Sequence, residues 1–477
     1  FFHYIPASIA GEEIVQLEKE IANDLHTQML LETLDVPIWS VLPFIILLLS
    51  IAILPLTAKG WWEHNSNRMK IAIPLGLLVV VYLWLGFDGK GLEKVEQTLI
   101  EYLQFIILLG AIYIISGGIV LRSKLQATPK VNCVFLGIGA ILSSLIGTTG
   151  ASMLLIRPVL MTNVRRKHMA HTIIFFIFIV SNTGGCLTPL GPPLFLGFLK
   201  GVPFEWTFTL WKPWLLVNLS LLFIYYLWDN IAYKNEKSKD VEIDNKKIEH
   251  IGVGGGINFF FLGGVVLAVA FSALIAGWFE GTGLGEQFKG NVLFSNGSPF
   301  REFIILTMLI LSLLMTPKSL RKENSFTYRP IVEVVILFLG IFLVMIPAQE
   351  YLREHGQFLG VDTLAKFFWT TGLLSSFLDN TPTYLVFYCL GQCQIDGLRQ
   401  FGEFVSTTGI PTNVLKAISL GAAFMGAFTY IGNGPNFMVK AIAEEEGVKM
   451  PGFFGYIKYS VLILVPIFLV VTFLFFR

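Results

Sequence analysis

Charge is what this chain has least of. Asp, Glu, Lys and Arg make up 14% of its 477 residues, against about 25% in soluble proteins. The formal net charge is +1, which points away from any nucleic-acid partner. The four cysteines (Cys133, Cys186, Cys389, Cys393) lie in or beside apolar segments and read as packing residues, not as a disulfide framework or metal site. The seven histidines fall mostly in loops or near segment ends, without ligand-like spacing. A membrane enzyme would need a deep nucleophile–base pair or metal cluster, and none is visible. No nucleotide-binding loop appears, and no cofactor is expected. What is abundant is apolar: 54% of the residues are hydrophobic. The fold class this implies is an all-α polytopic membrane protein.

One stretch breaks the apolar pattern where a bilayer tolerates it least. Ser375-Ser376-Phe377-Leu378-Asp379-Asn380-Thr381-Pro382-Thr383 is flanked by Leu364–Leu374 and Tyr384–Leu390. Neither flank reaches the roughly 20 residues of a full span. Together they predict a re-entrant hairpin (364–390) with a polar tip. Ser143–Ser152 aligns with Ser375–Tyr384 without a gap, Gly147 falling on Asp379, and predicts a first hairpin (131–161). Each hairpin precedes a Gly/Pro-interrupted apolar segment, 169–199 and 414–443. Leu190-Gly191-Pro192-Pro193 matches Asn433-Gly434-Pro435-Asn436. Paired interruptions in two halves are the signature of a transporter built from internal repeats.

In chain order, Phe1–Ala10 reads as the tail of a signal peptide and Gly11–Glu32 as an amphipathic surface helix, within an extracytoplasmic segment 1–36. The first half, 37–230, holds spans at Ile38–Leu56, Ile71–Phe87, Leu103–Leu121 and Leu210–Trp228 besides its hairpin and broken segment. A charged linker, 231–256, follows. The second half, 257–477, adds Phe259–Trp278, Phe303–Met315, Ile331–Ile346 and Phe453–Phe476. That makes about ten crossings and two hairpins. Arg122, Lys124 and Lys130 precede the first hairpin and Arg165, Arg166 and Lys167 follow it. Basic loops stay cytoplasmic, so both ends of that hairpin lie on one side. Counting crossings, the second hairpin opens outward and the repeats are inverted. Both termini are expected outside a plasma (inner) membrane.

The tips and broken segments collect oxygen-bearing side chains: Thr148 and Thr149, Asn182, Thr183 and Thr188, Asp379, Asn380 and Thr381, Asn433 and Asn436. Asp379 is the acid placed nearest the bilayer centre, and such a residue marks an ion pathway by default. A buried carboxylate binds a cation or takes up a proton. Na⁺ (or Li⁺) exchanged for H⁺ at Asp379, with Asn380, Thr381, Asn182 and Asn433 completing an oxygen shell, is therefore the first expectation. A carboxylate cargo would meet Asp379 as a like charge, at a cost of several kcal/mol unless a cation intervened. A citrate or dicarboxylate carrier with a co-bound cation is the alternative, and a channel a third. Asp379 could also pair with a nearby donor and fix the hairpin. Arg157 reads as snorkelling toward the cytoplasmic base.

Gly147-Thr148-Thr149-Gly150-Ala151-Ser152, Asn182-Thr183-Gly184-Gly185 with Thr188-Pro189-Leu190-Gly191, Leu378-Asp379-Asn380-Thr381-Pro382 and Gly432-Asn433-Gly434-Pro435-Asn436 resemble the ion transporter superfamily. It includes arsenite efflux permeases, NhaD-type sodium/proton antiporters, citrate permeases and dicarboxylate/sodium symporters. The Asn-Thr-Gly-Gly and Asp-Asn-x-Pro runs are similar to the antiporters. The dicarboxylate symporters' Ser-Asn-Thr is absent from both tips, because Ser181-Asn182-Thr183 falls in the broken segment. The resemblance implies secondary transport, movement of hairpins against a scaffold, and often a homodimer.

Overall fold

A bilayer offers no water to bond a peptide group, so apolar runs such as Ile331–Ile346 close their hydrogen bonds internally as helices. The computed structural model describes residues 33–236, 249–272, 274, 298–324, 326–393, 395–405 and 408–477. The signal-peptide tail, the surface helix, residues 237–248 of the charged linker and the end of the span predicted to Trp278 lie outside them. Its helices are α1 (Leu42–Thr57), α2 (Asn65–Gly86), α3 (Lys90–Ser116), α4 (Pro129–Thr162), α5 (Ala170–Phe178), α6 (Pro192–Leu199), α7 (Trp211–Lys234), α8 (Ile257–Ala270), α9 (Ser298–Met315), α10 (Arg329–His355), α11 (Leu364–Ser375), α12 (Asn380–Cys393), α13 (Thr412–Met425), α14 (Gly434–Glu445) and α15 (Phe453–Phe475). Among the described residues, seven helices are long and apolar enough to cross a membrane, and three shorter apolar ones accompany them. Leu77, Leu78, Trp84 and Leu85 on α2 and Leu462, Leu469 and Phe473 on α15 stay exposed, as lipid-facing residues do. This is a multi-pass, all-α membrane protein.

Two spans are longer than their apolar cores suggested. α3 begins at Lys90 and α10 runs on to His355. The charged turns they add hold one another: Lys94 lies 3.6 Å and Arg353 3.0 Å from Glu350, which also accepts from the Leu34 N–H at 2.9 Å. α3 also stops before Leu121. Gly117 and Gly118 end it against Phe326 and Asn258, and a Cβ on Gly117 would lie 2.2 Å from the Phe326 ring. The chain then forms a strand, β1 (Val120–Lys124), antiparallel to β2 (Glu249–Gly254) with Val120 opposite Gly254. This pairing ties the end of the linker back to the first half, and hydropathy alone does not reveal it.

α4 is a helix only in two pieces. Ile146 and Gly147 leave helical geometry, Gly147 at φ 71° and ψ 157°. A straight helix of its 34 residues would hold its ends about 50 Å apart. Instead Asn132 and Asn163 exchange amide hydrogen bonds of 2.9 and 2.8 Å. The element folds back on itself at Gly147. Thr128 caps its start by accepting from the Val131 N–H, with Pro129 in the first turn. In the second half α11 and α12 are separated by Ser376–Asp379, and Leu390 near the end of α12 packs on Gly356, just ahead of α11. The tip side of the first folded-back unit, at Gly150, lies against Ile112 and Ser116, and its base continues into β1. The open end of the second lies by Glu350, the residue paired to Lys94 in the first turns of α3.

Each broken segment is likewise two helices and a bridge. α5 runs into a π-helical turn, Ile179–Thr183, before the loop to α6. α13 ends in a 3₁₀ turn, Gly426–Phe428, before α14. The bonds fix a register slightly different from the Gly-Pro match. A Cβ on Gly191 would lie 2.8 Å from the Gly185 carbonyl oxygen, and one on Gly432 2.6 Å from that of Gly426. Gly191 therefore corresponds to Gly432, not Gly434; α6 begins one residue after Gly191, and α14 two residues after Gly432.

Candidate functional site

The two tips are stitched to the two broken segments by the same bonds used twice. Ser143 Oγ donates to the Val180 carbonyl at 2.6 Å, and Ser375 Oγ to that of Ala422 at 2.8 Å. Ser144 Oγ donates to Gly184 O at 2.5 Å, and Ser376 Oγ to Met425 O at 3.0 Å. In return the Thr188 hydroxyl donates to Ser144 O and the Thr429 hydroxyl to Ser376 O. Carbonyls freed where a helix breaks need such partners when no water reaches them. Each net bond is worth about 1 kcal/mol, and together they bind a tip and its broken segment into one body. Thr188 is thus a bracing residue.

A second layer joins the repeats to each other. Asn182 Nδ2 donates to Ile177 O at 2.8 Å and to Asn436 Oδ1 at 2.7 Å. Asn436 Nδ2 donates to Gly426 O at 2.8 Å and Thr429 O at 2.9 Å. Asn433 Nδ2 donates to Ser181 O at 2.8 Å and Asn182 Oδ1 at 3.2 Å. With its nitrogen turned inward, the Asn380 amide reaches Ala422 O at 3.2 Å and Gly432 O at 2.8 Å. Thr183 donates to Asn218 Oδ1 on α7 at 2.8 Å. Of the oxygens expected around a cation, those of Asn182 and Asn436 are therefore taken up by neighbouring amides, and Asn380 and Thr183 serve packing contacts.

Asp379, Thr149 and Asn433 do come together. They line one cavity of about 190 Å³, with Pro382, Gly434 and Pro435 beside them. That is below the ~300–1,000 Å³ of pockets for drug-sized ligands and suits a small cargo. Asp379 is the N-cap of α12: its Oδ1 accepts from the Thr381 N–H at 3.1 Å, as capping carboxylates do. Gly434, at the start of α14, lines the same cavity, and the Thr381 hydroxyl is buried without a hydrogen-bond partner. The N-termini of α12 and α14, where backbone dipoles leave partial positive charge, thus border the cavity together. Thr381 is buried at this tip; Thr148 is buried at the other, its hydroxyl without a protein partner.

Two clusters escaped the sequence reading. The cavity's other wall carries Arg68 and Glu333, 2.8 Å apart; Arg68 lies ahead of the span expected from Ile71. At the base of the first folded-back unit, fully buried Asp229 pairs with Arg166 at 2.5 Å and His171 at 2.8 Å. It also accepts from Tyr225 at 3.0 Å and Asn132 at 3.3 Å. The signal available was the acid in Trp228-Asp229-Asn230 at the end of an apolar run, alongside Arg165-Arg166-Lys167. Arg157, expected to snorkel toward the base, reaches the exposed Glu446 at 3.8 Å.

No curated protein matches the chain. From residue 33 to residue 476 the sequence matches the family described as "Putative citrate transport", and the folded-back helices, broken segments and apolar spans described above are the parts of a chain that belongs to that family.

Proposed function

We propose that this chain is a secondary carrier that moves citrate or a related di- or tricarboxylate together with a cation. The observation that carries the reading is the cavity in which one carboxylate, Asp379, sits between the N-termini of α12 and α14. Helix N-termini bind anionic groups, and the carboxylate gives a coupling Na⁺ or H⁺ its place beside the cargo. The family's description supports the same choice. So does the commitment of the Asn182 and Asn436 amides to each other, which leaves fewer oxygens for a Na⁺ shell built without an anion. In this reading both folded-back units are re-entrant in the plasma (inner) membrane, the first opening to the cytoplasm and the second outward.

Na⁺/H⁺ exchange is the second reading, favoured by the partly open Asp379 carboxylate in the cavity wall. Proteoliposomes holding a pH dye separate the two. Labelled citrate or succinate should enter with Na⁺ or a proton gradient, and Asp379→Asn should abolish the cation's stimulation. Should Na⁺ alone move protons while no carboxylate enters, exchange takes the place of the carrier reading.

A further inference from the structure

Arg68 is the one basic side chain lining the central cavity among the described residues. It lies in the first turn of α2 and is 5% exposed. Its Nη2 pairs with Glu333 on α10 at 2.8 Å and its Nη1 donates to Asn65 Oδ1 at 2.7 Å. Its Nε is buried without an acceptor, and the guanidinium lies 5.7 Å from the Trp62 ring centroid. The side chain is thus packed, braced and short of one acceptor. Glu333 is the loose partner, its side chain 34% exposed. Asp379, Thr149 and Asn433 line the same cavity from the tips and the second broken segment.

We propose that Arg68 forms a second carboxylate subsite, in which a carboxylate of the cargo replaces Glu333 on the guanidinium while another carboxylate rests at the helix N-termini. This rests on the carboxylate-carrier reading. A guanidinium presents a planar fork of donors that matches a carboxylate. Replacing one carboxylate by another leaves the guanidinium paired throughout, and the displaced Glu333 carboxylate sits where its side chain is already 34% exposed. Two anchors on separate elements select against an acid with a single carboxylate, which can fill only one of them. The other charges near the exchange are Glu63, also in the cavity wall, and Arg329, which acts on both Arg68 and Glu333.

The test is uptake of labelled citrate by proteoliposomes carrying the wild type, Arg68→Gln or Glu333→Gln, with acetate as competitor. Arg68→Gln should raise the citrate KM about tenfold or more, the scale of one lost charged hydrogen bond. Glu333→Gln removes the internal competitor and should lower that KM. Acetate should compete no better with citrate in the wild type than in Arg68→Gln. A merely structural ion pair predicts the reverse, both variants impaired together, and that result overturns the subsite, as does an unchanged KM in Arg68→Gln. If Arg68→Gln does not give a monodisperse protein, Glu333→Gln decides: a lower KM supports the subsite and an equal or higher one ends it. A wild type that takes up no di- or tricarboxylate removes the carrier reading and the subsite with it.

Discussion

Asp229 offers the sharpest stability test. Its carboxylate is fully enclosed and holds Arg166, His171, Tyr225 and Asn132 at 2.5–3.3 Å. Tyr225 keeps Thr172 and Asn132 keeps Asn163 when the carboxylate is removed, so their losses are near the ~1 kcal/mol of ordinary hydrogen bonds. Arg166 has no equal substitute, since Glu236 lies 3.8 Å from its Nε. Asp229→Leu therefore leaves a buried guanidinium largely uncompensated, and breaking such a pair costs about 3–5 kcal/mol. Replacing both charges is different. Arg166→Met with Asp229→Leu deletes the pair and its desolvation together, which is commonly neutral. The expected order of stability is wild type close to the double variant, with Asp229→Leu well below both. Thermal unfolding followed by intrinsic fluorescence, in one detergent–lipid mixture, reads that order. An Asp229→Leu protein as stable as wild type, or a double variant as weak as the single, would falsify the assignment of this carboxylate as the keystone of the base.

Gly147→Ala should cost about 1–3 kcal/mol, because its φ and ψ lie where only glycine is at ease and a Cβ would lie 3.1 Å from Leu190 O. Uptake should fall more than expression does, and full transport would show that the turn relaxes freely. Cysteines placed at Lys130, in the first turn of α4, and at Lys167, in the loop after it, should be labelled by an impermeant maleimide from the same face of oriented vesicles. Labelling from opposite faces would contradict the folded-back α4.

What could be read from the sequence was whatever a membrane forbids. Gly147, Asp379, Pro192 and Pro435 stand out because hydrocarbon punishes every one of them, so the breaks were visible without any knowledge of their surroundings. The partners were not. Asn182 and Asn436 are far apart in the chain, and nothing local says that their amides will bond each other instead of an ion. Arg68 sits close to Lys70 and reads as one more basic loop residue, until the packing of α2 on α10 brings Glu333 against it. Asp229 looks like the polar end of a span because three of its four partners, Asn132, Arg166 and His171, lie far from it in the chain. The early end of α3 had a local cause in Gly117-Gly118, yet hydropathy carried the span through it.

The cavity's own charges bear on why transport should be coupled. Among the described residues, Glu63, Glu333 and Asp379 line it against a single guanidinium, Arg68. An anion arriving alone would add to a wall already rich in carboxylates, and in a site shielded from water like charges repel by several kcal/mol. The helix N-termini offset part of this, but each contributes only about half a charge and one is already capped by Asp379. A cation or proton at Asp379 removes the nearest opposing charge and frees the α12 terminus to face the cargo. On this reading cargo and cation need each other: the cation supplies what the anion lacks on arrival, and the anion supplies the oxygens that the Asn182–Asn436 pair does not.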